Sequence, residues 1–225
     1  MKKSLLRKHL VASTLALVAL TFTLTAAPIT GFDDIQLWTG TGSNRAGLVI
    51  DWNDGTTQDS FAWGYRWSGS ATGEDLFRAI AGALAESQSS LPFGPPVSDG
   101  VGDPALSLFI RNFSFGPSVD RVAYLEPGGP AHDQDSANFN NGFWSYWLDE
   151  GTGTYPDTWT SSMVGFGDRT LADGSWDAFS YVPDFNGVPP SAAIAAIPEP
   201  RTIGLLLLAL ATIALTLHPR HRAKL

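Results

Sequence analysis

The chain has no cysteine among its 225 residues. Disulfides, thiolate metal sites and cysteine nucleophiles are therefore excluded together. Positive charge is scarce through the middle of the chain. Between Pro28 and Ile197 the only cations are Arg45, Arg66, Arg78, Arg111, Arg121 and Arg169. They face 21 of the 22 acidic residues, so this body carries a formal charge of −15, against −8 for the whole chain. Such a body repels phosphate backbones, which excludes nucleic acid as a partner. It suits divalent cations, or neutral or basic surfaces. Histidine is rarer still: of four, only His132 lies in the body. No G-x-S-x-G, H-E-x-x-H or P-loop motif occurs. A Ser–His–Asp arrangement would have to use His132, and no serine is marked as its nucleophile. Carboxylate pairs for glycoside hydrolysis exist among the acids, but their spacing is three-dimensional and the sequence singles out none. The body reads as non-catalytic, with no internal repeat.

Aromatic residues are plentiful. All eight Trp lie in the body, with many Phe, Tyr, Val, Leu and Ile, enough to close a core. "AGLVIDW" reads as a strand with a turn at Asn53-Asp54-Gly55. In the "SFAWGYRW" that follows, Phe61, Trp63, Tyr65 and Trp67 alternate with small or polar residues, so period 2 places four aromatics on one strand face. The two segments read as a hairpin. "TGEDLFRAIAGAL" reads as the main helix, over about residues 72–85. Thr72 caps it, Glu74 and Asp75 suit its N-terminal dipole, and Leu76, Ile80 and Ala83 form the buried stripe. From Ala105 onward strands and turns dominate. Residues 86–104 read as a loop, and the Pro- and Ala-rich 182–197 as a linker. The expected fold is α+β, a mostly antiparallel sheet with one packed helix. The alternative is a β-sandwich with one embedded helix. "FWSYWL" followed by "LADGSWDAFSY" resembles the β-grasp domains related to the C-terminal domain of transcobalamin. That resemblance implies a β-grasp-like sheet and no particular ligand.

Two kinds of site are candidates. Trp63, Tyr65, Trp67, Trp144, Tyr146 and Trp147 offer faces on which sugar rings stack, though the plainer reading is that they fill the core. Trp144 and Trp147 are three positions apart, an odd spacing, and cannot share a strand face. At least one of Trp144 and Trp147 must therefore point away from the main core, and that one is the better candidate for a glycan platform. Asp51, Asn53 and Asp54, with Asp133 and Asp135 beside His132, place several oxygens at short spacing, as calcium requires. Neither stretch fits an EF-hand loop, and turn chemistry also explains Asn-Asp-Gly.

The two ends read as addresses. Residues 1–27 have a basic start, an apolar stretch and small residues at Thr25, Ala26 and Ala27, the layout of a secretory signal peptide; an uncleaved membrane helix is the other reading. Near the other end, Pro198-Glu199-Pro200 precedes an uncharged run from Ile203 to Leu217 and a basic end holding Arg220 and Arg222. With Thr202, His218 and Pro219 that run reads as a membrane-spanning helix over 202–219. The whole of 198–225 resembles a PEP-CTERM sorting signal. The resemblance implies export, processing by signal peptidase and an exosortase-type enzyme, a transient membrane anchor, and delivery to the surface or extracellular matrix of a Gram-negative bacterium that makes exopolysaccharide. The alternative is a plain C-terminal anchor. The expected function is a sorted, matrix-associated structural protein. Two alternatives stand beside it: a glycan or small-ligand binding module using an exposed Trp, and an enzyme acting on exopolysaccharide.

Overall fold

The computed structural model describes residues 27–89, 91–98 and 101–197. Strands β2 (Asn44–Asp51) and β3 (Ser60–Trp67) form the antiparallel hairpin, with Asn44 opposite Trp67 and Asp51 opposite Ser60. The alternation in β3 does what period 2 requires. Phe61, Trp63 and Trp67 are buried in the main core, and Tyr65 packs against them.

Around this hairpin grows a seven-stranded sheet of mixed direction. β1 (Trp38–Gly40) and β12 (Ile194–Ala195) run parallel to β3. β11 (Trp176–Val182) runs parallel to β2 and antiparallel to β9 (Phe143–Asp149), whose free side carries β10 (Thr160–Ser161). A second sheet has five strands. Its order is β5 (Val97–Ser98), β4 (Ala81–Gln88), β6 (Asp103–Phe113), β7 (Gly116–Leu125) and β8 (Ala131–Asp135), with β4 and β6 parallel. The sheets share one core: Leu48, Ile50 and Phe61 of the first pack with Leu108, Ile110 and Val122 of the second. Two indole N–H groups tie them together. Trp52 Nε1 donates to the Val122 carbonyl at 2.8 Å, and Trp63 Nε1 donates to Asp103 Oδ2 at 2.8 Å. The other face of the larger sheet is covered as well, by Ile29, Phe32 and Ile35 against Val49, Trp176 and Ala178. Every residue of β11 is buried, as befits a strand covered on both faces.

The fold corrects several expectations. The mostly antiparallel, β-grasp-like single sheet is replaced by two mixed sheets around a common core. The helix α1 spans Gly73–Ile80, shorter than the expected 72–85. Its start is the expected one. Thr72 Oγ1 accepts from the Asp75 amide, and the Asp75 carboxylate accepts from the Thr72 amide, a reciprocal capping box. It ends at Ala81, which is extended, because the next residues pair with β6. A Cβ on Gly82 would lie 2.2 Å from the Asp103 carbonyl oxygen, so only glycine admits this close approach. The expected linker is also partly structural. Ala193 and Ala196 are fully buried, β12 pairs with β3, and the Ile29 amide donates to the Ala193 carbonyl at 2.9 Å.

The signal segment (Ala27 apart), the motif Pro198-Glu199-Pro200, the bases Arg220 and Arg222 and the expected span 202–219 lie outside the described residues. Among the described residues no helix is long and apolar enough to cross a membrane. The reading of a membrane-anchored, exosortase-processed surface protein is corrected accordingly: no described element supplies the anchor on which that localisation and that partnership depend.

Candidate functional site

The parity of β9 decides where its tryptophans go. Trp144 and Tyr146 face the core shared by the two sheets, and Trp147 faces the other side. Trp144 is 6% exposed and meets Trp52 edge-on at 6.2 Å and Tyr181 at 5.4 Å. Trp147 is half-buried and donates Nε1 to Ser145 Oγ at 2.9 Å. The two form no common platform, and neither stands free on the surface.

Trp144 instead helps to line a cleft of about 320 Å³ where the sheets part at one end. The larger sheet contributes Trp144, Tyr146 and Phe179; the smaller contributes Gly116 to Val119 of β7, with Phe115 in the turn before it; the segment Val164 to Asp168 closes one side. Tyr146 and Phe179 are cross-strand partners in β9 and β11, and their rings stack with centroids 4.7 Å apart. Phe166 meets Phe179 edge-on at 5.6 Å. The start of α1 holds the closing segment in place. The Glu74 amide donates to the Phe166 carbonyl, and the Gly73 amide to the Arg169 carbonyl, each at 3.0 Å. At the mouth Phe115 is 73% exposed and stacks on Phe113, which in turn meets Phe139. Val164 is exposed beside it.

One wall has a polar anchor. The Tyr146 hydroxyl donates to Oδ2 of Asp177, which is fully buried. Arg169 Nε lies 3.5 Å from Asp177 Oδ1, and Arg169 also pairs with Glu150. Burial pushes Asp177 up to about 6, against the opposing pull of the Tyr146 hydroxyl and of Arg169. Burial, then the Asp177 charge, holds Tyr146 well above the ordinary phenol range. At neutral pH the phenol is thus a fixed donor to a carboxylate, and its ring is immobilised as cleft wall.

The carboxylates considered for calcium are distributed among other partners. Asp51 accepts from the amides of Ser191 and Asn53, at 2.6 and 3.0 Å, and burial raises its pKa. The Asn53 side-chain amide donates to Ser180 Oγ and the Tyr181 carbonyl. Asp133 pairs with Arg121, and Asp135 accepts from the Ala137 amide at 2.6 Å. The fold does join the two stretches at one point: His132 Nδ1 lies 2.7 Å from Asp54 Oδ2. Burial alone would raise Asp54. The Thr56 amide and His132 outweigh it, and the net shift is downward. Among the described residues no group of three or more His, Cys, Asp or Glu side chains could hold a metal ion. His132 is fully buried between Trp52, Phe61 and Tyr124, so a substrate reaches its ring only if the core opens.

Sequence reasoning named Trp144 and Tyr146 but missed Phe115, Phe166, Asp168 and Phe179. The one local signal for them is "GFGD" at residues 165–168, a lone aromatic between glycines in a polar stretch. A second groove, about 590 Å³, is walled by Tyr155, Pro156, Trp159 and Pro190. Its phenol is already committed: Tyr155 donates to the Ser191 carbonyl at 3.0 Å and accepts from the Ala193 amide at 3.3 Å.

Fold and site together define a two-sheet α+β domain with an aromatic-walled cleft at the parting of its sheets. Comparison with family models, with curated proteins and with solved structures finds no match. No relative therefore speaks for or against the resemblance to a sorting signal or to transcobalamin-related domains.

Proposed function

We propose that this protein is a binding module, and that the cleft between its sheets receives a small ligand with at least one apolar face. One observation carries the reading: Trp144, Tyr146, Phe166, Phe179 and Phe115 line an open volume of about 320 Å³ that the ring contacts among Tyr146, Phe166 and Phe179 leave unfilled. Protein interiors close such space where they can, and concave aromatic-lined sites with one fixed polar group are the usual form of a ligand pocket. The walls are anchored before any ligand arrives, by the Tyr146–Asp177 bond and by the helix-bound segment at Phe166. Preorganisation of this kind limits the entropy lost on binding. Binding without chemistry fits the position of His132, which is sealed away from the cleft and from solvent.

The test is a titration followed by tryptophan fluorescence, using neutral monosaccharides, small aromatic alcohols and organic ammonium ions as separate probes. At least one class should give a saturable change that weakens severalfold in Phe115→Ala and persists in Trp147→Phe. Saturation by no class, or saturation indifferent to Phe115→Ala, would remove the cleft as the site.

A further inference from the structure

The cleft reading leaves the ligand's class open, and the charge around the cleft narrows it. We infer, resting on that reading, that the cleft takes a small organic cation, an alkylated ammonium head group. Aromatic ring faces carry the negative part of a quadrupole, and several of them around one volume attract a cation while offering it an apolar surface. Here the rings lining the cleft are those of Trp144, Tyr146, Phe166, Phe179 and Phe115; Tyr146 and Phe179 stack on each other, and Phe115 at the mouth is the most open of the five. At the rim stands Asp168, exposed, its carboxylate without a hydrogen-bond or ion-pair partner among the described residues.

Among the described residues no lysine or arginine lines the cleft to compete for these groups. Of the six arginines of the body, Arg169 lies behind the Tyr146 wall, paired there with Asp177 and Glu150, and none of the other five lines the cleft. Arg78, Arg111, Arg121 and Arg169 lie in ion pairs with carboxylates. Arg45 lies over Phe32 and Arg66 over Trp38, both against the sheet face opposite the cleft. The −15 charge of residues 28–197 adds a long-range field that draws cations and repels anions. Alkylation matters because a bare ammonium is strongly hydrated and gives up water reluctantly. A methylated head group loses less on entering a wall made of rings. A neutral sugar can stack on a ring and donate a hydroxyl to Asp168, but it gains nothing from the long-range field.

The experiment titrates the protein with choline chloride and, separately, with 3,3-dimethyl-1-butanol, a neutral isostere of the same shape, reading tryptophan fluorescence at low salt. The expected result is saturable choline binding, about tenfold tighter than the isostere, weakening as sodium chloride is added. In Asp168→Asn, a surface change, the advantage of choline over the isostere shrinks about fivefold. Equal binding of the two probes, or an advantage indifferent to Asp168→Asn, overturns the inference while leaving the cleft as a binding site. Saturation by glucose with none by choline does the same. No response to any probe overturns both.

Discussion

Tyr146 donates its hydroxyl to Asp177 across the β9–β11 ladder, on a diagonal, since the direct partner of Tyr146 is Phe179. The bond joins a cleft wall to a fully buried acid, and the burial of that acid makes stability depend on pH in an unusual sense. Burial moves the Asp177 pKa from 3.8 to about 6 in the folded state. Between those values the native chain holds a proton that the unfolded chain has released. The contribution of this group is therefore fully present below about pH 4 and falls as pH rises, until it is lost above about pH 6. The difference is on the order of 3 kcal/mol. Asp177→Asn cannot titrate and still accepts from Tyr146. Its unfolding free energy, measured in urea at pH 4 and pH 7, should rise relative to the parent by roughly that amount between the two. A pH-independent difference between variant and parent would contradict the assignment.

Gly47 and Gly64 stand opposite each other in the β2–β3 register, and each is covered by an indole. A Cβ on Gly47 would lie 2.2 Å from the Trp176 ring, and one on Gly64 would lie 2.3 Å from the Trp38 ring. Both indoles belong to the face opposite the cleft. Gly47→Ala or Gly64→Ala must displace a packed ring, at a cost of about 1–3 kcal/mol each. The pair is adjacent, so the double variant should depart from additivity. Thermal denaturation of the three variants checks both statements.

The distance over which each contact reaches governs how much of this was legible in the sequence. The β2–β3 hairpin announces itself because alternation and turn lie within two dozen residues. The start of α1 is equally local, since Thr72 and Asp75 are three residues apart. The end of α1 is not local. "AGALAESQ" suits a helix as well as a strand, and it becomes β4 only because β6, some twenty residues on, offers a parallel ladder. The parallel pairing of β2 with β11 joins segments more than a hundred residues apart, and no pattern in either predicts it. The cleft has the same character. Parity showed that Trp144 and Trp147 face opposite ways. That Trp144 would meet Phe115 and Phe166 depends on two loops whose positions are set by the other sheet and by the helix start.

Ile194 gives a direct test of whether residues 182–197 are part of the fold or a linker. It pairs with Phe61 in β3 and is buried in the main core, while Ala193 and Ala195 pack against the opposite face of the same sheet. A linker residue would tolerate any side chain. Ile194→Ala should instead cost about 2–4 kcal/mol, the usual result of emptying a core site. Ending the chain after Val188 should lower the melting temperature further, since it also removes the Ser191 amide that donates to the buried Asp51. Unchanged unfolding of both variants would return the segment to linker status.

Trp144 and Trp147 should separate cleanly in spectroscopy as they do in space. Trp144 lines the cleft and is enclosed by Trp52 and Tyr181; Trp147 lies across the sheet, half-buried. A ligand entering between Phe115 and Phe166 changes the surroundings of Trp144 alone. Trp144→Phe should therefore remove most of the ligand-dependent fluorescence change, and Trp147→Phe should keep it. Replacing the buried indole by a smaller ring also leaves a gap, with a stability loss of about 1–3 kcal/mol that the Trp147 variant should not share. Binding by Trp144→Phe can be followed independently by calorimetry, which separates loss of the reporter from loss of the site. If Trp147→Phe abolished the signal and Trp144→Phe preserved it, the ligand would occupy the opposite face of the sheet, where Tyr155 and Trp159 wall the other groove.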